Sequence, residues 1–299
     1  MRVVVTGGAG FVGANLAAAL LGCPRVTEVR VVDDFSTGRK AHLAELEVNL
    51  FEGSVLDPDL LDEALDGAQA VVHLAGLPGG APVRHRADGH LANANGTLQV
   101  LEAARRAGNL HVVAASPVTA AALGPTAERT PYAVGALAAE GYLSAYQHCY
   151  GLPVLTLRLH EVFGPLQPTV PGWPALVPGF VAAALAGEPL LVPDGGEQRR
   201  DFSYVGTVAE VLRAAVLRRL TAPGPVDLAC GTVAGVLELA GELGAVLGRP
   251  LPLVRTVARP GPTEPELPDP APLRALLPDL DPLPLRAALD RTVAWSRRR

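Results

Sequence analysis

A glycine-rich turn near the beginning of the chain limits what it can fold into. Val3-Val4-Val5 is a β-branched run typical of a buried strand, and residues 11–21 have the alanine and leucine content of a helix. Between them lies Thr6-Gly7-Gly8-Ala9-Gly10. Glycines let the backbone turn tightly and approach a pyrophosphate, and the N–H groups at the start of the helix bind that anion. The turn therefore predicts a dinucleotide-binding unit of strand, loop and helix.

A second apolar run supports this interpretation. Residues 29–33 end in the carboxylate of Asp33, which stands twenty residues after Gly13. From this position an acid accepts hydrogen bonds from an adenosine ribose. A 2′-phosphate would be repelled by Asp33, so the sequence favours NAD. NADP is the alternative, because Arg39 and Lys40 follow closely.

Apolar runs and helical segments alternate through the first half of the chain. The further predicted strands are 49–52, 70–74, 110–115 and 154–159, and the helical segments are 60–65, 91–107 and 132–149. This alternation is typical of a parallel sheet with helices on both faces. We therefore predict an α/β fold with a doubly wound parallel sheet of the Rossmann type.

Composition excludes several classes of protein. A chain of 299 residues with 49% hydrophobic content and a mean hydropathy of +0.26 can bury a large core. A net charge of −5, with 297–299 as the one basic run, offers no footprint for nucleic acid or an anionic membrane. Met1 leads directly into the first strand, and every long apolar run is interrupted by proline or glycine. We therefore expect a cytoplasmic protein without a signal peptide or a membrane span.

The three cysteines lack the spacing of a metal site. Cys23, Cys149 and Cys230 are odd in number and far apart in sequence. Such cysteines are expected to be buried free thiols, and no metal site is predicted. The proline-rich stretches 165–178 and 250–284 are predicted to be irregular loops that shape a pocket, and residues 285–296 are predicted to form a helix.

Motifs along nearly the whole chain carry a family resemblance. They are Thr6-Gly7-x-x-Gly10-x-x-Gly13; Asp33-Asp34-Phe35-Ser36-Thr37-Gly38; His73-Leu74-Ala75; Asn93-x-x-Gly96-Thr97; Pro131-Tyr132-Ala133-Val134; Arg158 with Val162-Phe163-Gly164-Pro165; Gln198-x-Arg200-Asp201-Phe202-x-Tyr204-Val205; and Arg259-Pro260-Gly261. With these motifs the chain resembles the extended short-chain dehydrogenase/reductases of the NAD-dependent epimerase/dehydratase family, and is similar to UDP-glucose 4-epimerase.

The resemblance implies two domains and a homodimer. The NAD-binding Rossmann domain would consist of residues 1–165 and 203–230, and a smaller C-terminal substrate-binding domain would consist of 166–202 and 231–299. In the family, the helices that correspond to 91–107 and 132–149 pair across a two-fold axis. Alanines at 136, 138 and 139 would permit that close approach.

The resemblance also implies binding residues. The cofactor-binding residues would be Gly7, Gly10, Phe11, Val12, Gly13, Asp33, Asp34, Ser36, Ser54, Val55, Leu74, Ala75, Gly76, Asn93 and Tyr132. Arg200 and Arg259 match the arginines that grip the diphosphate of a nucleotide sugar, a task that suits the planar guanidinium. Glu161 stands where the family usually has asparagine, and a carboxylate near a diphosphate would repel it.

The catalytic set departs from the family pattern. Family members use a Ser/Thr, Tyr and Lys set, in which the tyrosinate takes a proton from a sugar hydroxyl while hydride moves to NAD, and lysine lowers the tyrosine pKa. Tyr132 is present, but Ala136 occupies the lysine position, and the single lysine, Lys40, belongs to the adenosine end. At an ordinary tyrosine pKa of about 10, roughly one molecule in a thousand carries phenolate at pH 7.

The residue that supplies the hydroxyl group of the catalytic set can be located by two ways of counting, which give different positions. Counting from the fifth strand places Pro117 at the position, whereas counting back from Leu123-Gly124 selects Thr119. We adopt Thr119, with Ser116 as the alternative. No Asp-Glu pair follows this position, which argues against a sugar 4,6-dehydratase.

Two further groups could act as acids or bases. His160 and Glu161 follow the sixth strand at the mouth of the expected pocket, although strand alternation favours one that faces solvent and one without a role. His73, at the end of an apolar strand, is interpreted as a core or loop-anchoring group. Three hypotheses follow: an NAD-dependent nucleotide-sugar epimerase, an NAD-binding sensor, scaffold or inactive paralogue, and a repurposed acid/base enzyme that uses His160, Glu161 or Tyr132.

Overall fold

The computed structural model describes residues 1–77, 86–120, 130–168, 175–230, 232–256 and 267–298. Its strands are β1 (Arg2–Thr6), β2 (Glu28–Asp33), β3 (Asn49–Glu52), β4 (Ala70–His73), β5 (His111–Pro117), β6 (Val154–Leu159), β7 (Glu161–Phe163), β8 (Leu190–Pro193), β9 (Arg199–Tyr204), β10 (Val226–Leu228), β11 (Val233–Gly235) and β12 (Leu253–Thr256). Its α-helices are α1 (Phe11–Leu21), α2 (Pro58–Leu65), α3 (Arg86–His90), α4 (Gly96–Arg106), α5 (Pro131–Tyr150), α6 (Leu176–Ala186), α7 (Val205–Arg218), α8 (Val236–Leu247), α9 (Ala271–Leu276) and α10 (Leu285–Ser296).

The central element is a seven-stranded sheet in the order β10-β6-β5-β4-β1-β2-β3. Every neighbouring pair in it is parallel. Helices α1 and α7 cover one face, and α2, α4 and α5 cover the other, each over a buried aliphatic core. The chain order reverses between β1 and β4, the place where ligands bind at the carboxyl edge of such sheets. The predicted α/β fold with a doubly wound parallel sheet is confirmed.

Local sequence signals explain the helix boundaries around the site. Helix α5 begins after Thr130, whose hydroxyl accepts a hydrogen bond from the N–H of Ala133, and Pro131 occupies its first turn. It ends at Gly151, which adopts φ +65°. The predicted helix 91–107 is instead a π-helical turn, Leu91–Asn95, that leads into α4. Such turns are frequent at functional sites, and Asn93 lies in this one.

The remaining strands form two small sheets. In the first, β9 pairs in parallel with β7 and antiparallel with β11, and in the second β8 pairs in parallel with β12. Helices α6, α8 and α10 pack against them around a separate apolar cluster that contains Phe163, Phe180 and Phe202. The expectation of irregular loops was wrong at three places, because α6 begins at Leu176 and because β12 and α9 lie within 250–284. Proline is compatible with a first helical turn, where its missing N–H leaves no bond unmade. The predicted domain boundaries stay a prediction.

The cysteines differ in burial. Cys23 and Cys230 are buried free thiols, as expected, but Cys149 is exposed. It lies in the last turn of α5, and the prediction of burial was wrong there. Within the described ranges, none of the helices combines the length and apolar character that a membrane crossing requires.

Candidate functional site

The glycine-rich loop lies at the carboxyl end of β1 and is too tightly packed for other residues. Gly7 has φ +69°, and a Cβ there would lie 2.7 Å from the backbone N of Ala75. A Cβ on Gly13 would lie 2.2 Å from the carbonyl oxygen of Gly7. Helix α1 begins after Gly10 without a side-chain cap and has no acidic residue in its first turn. Phe11 and Val12 open that turn, so these residues fit the pyrophosphate of a dinucleotide.

The carboxylate of Asp33 connects two loops of this region by hydrogen bonds. Its carboxylate accepts hydrogen bonds from the N–H of Ala9 at 2.8 Å and of Phe35 at 2.9 Å. Burial raises the pKa of this carboxyl, although both hydrogen bonds oppose the shift. Each carboxylate oxygen has a second lone pair, so the predicted contact with an adenosine ribose is compatible with these bonds. Gly38 packs closely against this carboxylate, because a Cβ at position 38 would lie 2.8 Å from Asp33 Oδ1 and would clash with it.

The other residues predicted at the adenosine end lie near these loops. Asp34 accepts a hydrogen bond from the N–H of Ser36, which is exposed. Ser54 accepts one from the N–H of Leu56, while Val55 is buried against α2 and α4. Lys40 forms an ion pair of 2.6 Å with exposed Glu52. The single lysine therefore pairs with a carboxylate at the end of β3, and its place at the adenosine end of a cofactor stays a prediction.

His73 joins β4 to its neighbours. Its Nδ1 lies 2.7 Å from Thr6 Oγ1 and its Nε2 lies 3.0 Å from Thr97 Oγ1. Thr97 also donates to the carbonyl oxygen of Asn93, so its hydroxyl can only accept from His73 and the proton lies on Nε2. Complete burial lowers the pKa of His73 to about 4. These contacts agree with the loop-anchoring interpretation.

Both polar atoms of the Asn93 side chain form hydrogen bonds with the backbone of the protein. Its Oδ1 accepts from the N–H of Leu77 at 2.8 Å, and its Nδ2 donates to the carbonyl oxygen of Leu77 at 3.1 Å. It therefore holds the segment after β4, and any contact with a cofactor would be through that segment. Gly76 lies against this amide, since a Cβ there would approach Asn93 Oδ1 to 2.9 Å.

A cavity of about 270 Å³ opens above the carboxyl ends of β4, β5 and β6. Its lining residues are His73, Leu74, Ala75, Gly76, Leu77, Asn93, Thr97, Ala115, Ser116, Pro117, Tyr132, Ala136, Ala139, Leu143 and Leu159. The structure thus brings Tyr132 and Ser116 together beside the segment that packs on Gly7. Ala136, at the lysine position, also lines this cavity.

Tyr132 lies in an apolar setting. Burial raises the pKa of its phenol to about 12. Burial is the whole cause, so within the described ranges no neighbouring cation offsets it. Alanine at 136 leaves this effect of burial unopposed, because an ammonium one turn away would stabilise the phenolate and lower the pKa of the phenol.

Two buried hydroxyls lie after the apolar part of β5. Neither Ser116 Oγ nor Thr119 Oγ1 has a hydrogen-bond partner among the described residues. Ser116 is 5% exposed and lines the cavity, whereas Thr119 is absent from its lining. Strand β5 runs on to Pro117, two residues beyond the predicted end, so Ser116 remains part of the strand. Of these two hydroxyl groups, that of Ser116 lies in the lining of the cavity that contains Tyr132, and that of Thr119 does not.

An ion pair between Glu140 and Arg158, in which the carboxylate is buried, was missed in the sequence. Glu140 accepts two hydrogen bonds from Arg158, at 2.9 Å and 2.7 Å, and is 5% exposed. Glu140 is spaced like Ala136 and Leu143, which lie on the buried side of α5, so a charge at this position indicates a buried partner. The pair connects α5 to β6.

The two residues that follow β6 face other partners. His160 Nε2 lies 3.3 Å from Asp227 Oδ1, and the His160 side chain is 7% exposed. Glu161 Oε1 accepts a hydrogen bond from Arg200 Nη1 at 3.1 Å. Neither side chain lines the cavity of Tyr132. Arg259, the second predicted diphosphate ligand, lies outside the described residues.

Known proteins match this chain over most of its length. A profile of the NAD dependent epimerase/dehydratase family matches residues 3–230. UDP-glucuronic acid decarboxylase 1 of Arabidopsis thaliana is 33% identical over 260 residues, which are 80% of this chain and 57% of that protein. The chain therefore spans little more than half the length of this curated relative.

Two solved structures resemble the whole chain. UDP-N-acetylglucosamine 4-epimerase from Methanobrevibacter ruminantium, in complex with UDP-N-acetylmuramic acid, has a TM-score of 0.88 and 26% identity, and the match covers 99% of this chain and 98% of that one. UDP-glucose 4-epimerase of Thermus thermophilus, in complex with NAD, has a TM-score of 0.82 and 28% identity, with 99% of each chain covered. Both likenesses extend beyond the Rossmann sheet into the smaller sheets.

Proposed function

The chain belongs to the NAD dependent epimerase/dehydratase family, and from that premise we propose that it is an NAD-dependent enzyme that acts as an epimerase on a nucleotide-diphosphate sugar. The observation that carries the proposal is the cavity shared by Tyr132 and Ser116, next to the segment 74–76 that packs on the glycine-rich loop. A proton acceptor and a second hydroxyl in this cavity would lie beside the reacting end of a dinucleotide bound at that loop, which supports the proposal.

The relatives support the choice of cofactor and substrate class. The family is described as NAD dependent, which agrees with the cofactor predicted from Asp33. The relatives named above act on UDP-sugars, as epimerases or as a decarboxylase. We extend to this chain the substrate class that these names share, a nucleotide-diphosphate sugar.

The residues of this chain would divide the task as follows. NAD, when bound, supplies the acceptor for hydride from a sugar carbon. The first turn of α1 and the glycines before it would bind the pyrophosphate, and Asp33 would bind the adenosine ribose. Tyr132 Oη would take the proton of the sugar hydroxyl, with Ser116 Oγ hydrogen-bonded to the same oxygen. Arg200 would bind the diphosphate of the substrate.

The setting of Tyr132 predicts slow turnover at neutral pH. With a pKa of about 12, only about one molecule in 10⁵ carries the phenolate at pH 7. The rate would then rise about tenfold for each pH unit until another step limits it. This pH profile follows from the missing ammonium and belongs to the atypical catalytic set that we propose.

A second candidate function is an NAD-binding protein without redox turnover, such as a sensor, a scaffold or an inactive paralogue. Ala136 and the raised pKa of Tyr132 favour it, because both weaken the proton acceptor while the glycine-rich loop is intact. The acid/base alternative is less supported, since His160 faces Asp227 and Glu161 faces Arg200.

The test begins with a ligand inventory of the purified protein, followed by calorimetric titration with NAD, NADP and UDP-, dTDP- and GDP-sugars. Turnover of the sugar that binds is then measured in Tyr132→Phe and in Tyr150→Phe. Tyr150 is an exposed tyrosine at the end of the same helix and serves as the matched control. Loss of turnover in Tyr132→Phe alone supports the redox enzyme. Unchanged turnover in Tyr132→Phe contradicts it, and tight NAD binding with no product from any sugar favours the sensor or scaffold.

The proposal includes a cytoplasmic homodimer. Val134 and Tyr142 are exposed on α5 at 47% and 38%, which leaves an apolar surface of the kind that pairs with a second copy. Sedimentation at micromolar concentration is expected to give the mass of two chains, and a monomer would contradict this part.

A further inference from the structure

The ion pair between Glu161 and Arg200 is built into the sheet that borders the substrate side. Strands β7 and β9 are parallel, with Glu161 opposite Phe202. Arg200 stands two residues before Phe202, so its side chain projects from the same face of the sheet as Glu161. Its Nη1 donates to Glu161 at 3.1 Å and its Nη2 donates to Gln198 at 3.3 Å. The register of two strands therefore brings the carboxylate to the guanidinium.

The ion pair between Glu161 and Arg200 is more shielded from solvent than a neighbouring ion pair on the same strand. Arg199, the preceding residue of β9, pairs with Glu238 at 3.2 Å, and their side chains are 50% and 57% exposed. The side chains of Arg200 and Glu161 are 25% and 38% exposed. Because shielding from solvent reduces screening, the carboxylate of Glu161 acts more strongly on its surroundings than that of Glu238.

We propose that Glu161 is a specificity-determining residue of the substrate site, because its carboxylate competes with an anionic ligand for Arg200. The inference rests on the proposed function, in which Arg200 binds the diphosphate of the substrate. A phosphate that approaches Arg200 also approaches Glu161, so the same ion pair that orients the guanidinium opposes the ligand charge. The carboxylate therefore lowers the affinity of the site for the diphosphate that Arg200 binds, and it leaves the affinity for the uncharged nucleoside unaffected.

The experiment measures binding to the full-length protein saturated with NAD. UDP-glucose, UDP and uridine are titrated by calorimetry into the wild-type protein, Glu161→Gln, Glu238→Gln and Arg200→Ala. Glutamine keeps the shape of the side chain and removes its charge. Glu161→Gln is expected to bind UDP-glucose and UDP about tenfold more tightly than the wild type, a change of about 1.4 kcal/mol. Its affinities for uridine and NAD are expected to stay unchanged.

The controls separate a local charge effect from other causes. Glu238→Gln removes a carboxylate from the neighbouring ion pair and is expected to leave all affinities unchanged. A gain of affinity also cannot arise from a damaged site, so partial unfolding of Glu161→Gln would not imitate the expected result. Equal tightening by both variants would show a general charge effect and overturn the proposal.

The remaining outcomes distinguish this inference from the proposed function. If Arg200→Ala weakens the binding of UDP-glucose but Glu161→Gln leaves it unchanged or weaker, the role of Glu161 is refuted and the substrate class stands. If neither the wild type nor Glu161→Gln binds any of the UDP-, dTDP- and GDP-sugars titrated for the proposed function, the substrate class is refuted, and the role of Glu161 with it.

Discussion

Tyr132 and Ala136 lie one turn apart on α5, and both side chains line the same cavity. Ala136 is 4% exposed, so its methyl group faces enclosed space rather than solvent. Residues four apart share a helix face, and a cation at 136 would therefore stand beside the phenol. The guanidinium of Arg158, on a strand that packs against α5, is held by two hydrogen bonds to Glu140. The chain thus has the tyrosine, the helix and the cavity, but among the residues that the structure describes no cation acts on this phenol.

The first prediction concerns that charge. Ala136→Lys is expected to lower the pKa of Tyr132 by about 1 to 3 units, because an opposite charge within reach stabilises the phenolate. Any turnover at pH 7 should rise accordingly. The pKa is read from the phenolate absorbance, with Tyr132→Phe subtracted to isolate this tyrosine. Ala145→Lys places the same side chain on the exposed part of the helix and should change neither quantity. An unmoved pKa in Ala136→Lys would show that the lysine does not reach the phenol.

The second prediction concerns the two buried hydroxyls. Ser116→Ala is expected to reduce kcat about 100-fold or more, because its hydroxyl shares the cavity with Tyr132. Thr119→Ala is expected to leave kcat nearly unchanged, since Thr119 does not line the cavity. Both hydroxyls are buried without a partner, so the two variants carry similar structural cost and each serves as the control for the other. The reverse order of effects would restore the assignment to Thr119 made from the sequence.

The parts of the fold that depend on local pattern were predictable. The bounds of α1, β6 and α10 agree with the predicted segments, because apolar periodicity and glycine positions specify an element within its own residues. The α-helix Leu176–Ala186 was not expected, since Pro178 masked the helical pattern although proline is tolerated in a first turn. Local sequence is thus informative where one signal dominates and ambiguous where two compete.

The sequence predicts where in the fold the candidate site lies, but it does not predict the hydrogen bonds and ion pairs that the side chains of the site form. The motifs brought Tyr132, Ser116 and the glycine-rich loop to one edge of the sheet. The pairing of Glu161 with Arg200 joins residues 39 positions apart and depends on which strands of the smaller sheet are neighbours. That register is set by packing around Phe163 and Phe202, which no local pattern reveals. Likewise, the hydrogen bond from the N–H of Leu77 to the side-chain amide of Asn93 depends on the conformation of the segment after β4, which no local pattern predicts.

The third prediction concerns pH-dependent stability. Burial lowers the pKa of His73 to about 4, below its ordinary value of 6.5 in the unfolded chain. The unfolded state therefore binds the proton first, and stability is full above pH 6.5 and is lost as the pH falls toward 4. The loss amounts to about 3 kcal/mol over this range. Burial also lowers the pKa of His111, which adds to the loss with the same sign.

The measurement is the free energy of unfolding in denaturant at pH values from 4 to 8. His73→Gln keeps polar contacts available to Thr6 and Thr97, and its stability should fall less steeply between pH 6.5 and 4 than that of the wild type. His148→Gln, an exposed histidine on α5, should keep the slope of the wild type. A wild-type slope retained in His73→Gln would mean that His73 is not the neutral group that the structure shows.

The fourth prediction concerns the ion pair between Glu140 and Arg158. Glu140→Gln is expected to reduce the free energy of unfolding by about 3 kcal/mol, because it leaves the guanidinium charge partly buried and uncompensated. The pKa of Arg158 is raised chiefly by its hydrogen bonds to Glu140, in the direction expected for such coupling.

An exposed pair of the same geometry provides the control for this fourth prediction. Arg286 also makes two hydrogen bonds to one carboxylate, that of Glu242, but its side chain is 64% exposed. Glu242→Gln should therefore cause a much smaller loss of stability, since water compensates the freed charge. Both variants are compared with the wild type by denaturant unfolding at pH 7. Equal losses would show that burial does not set the energetic cost of breaking the pair.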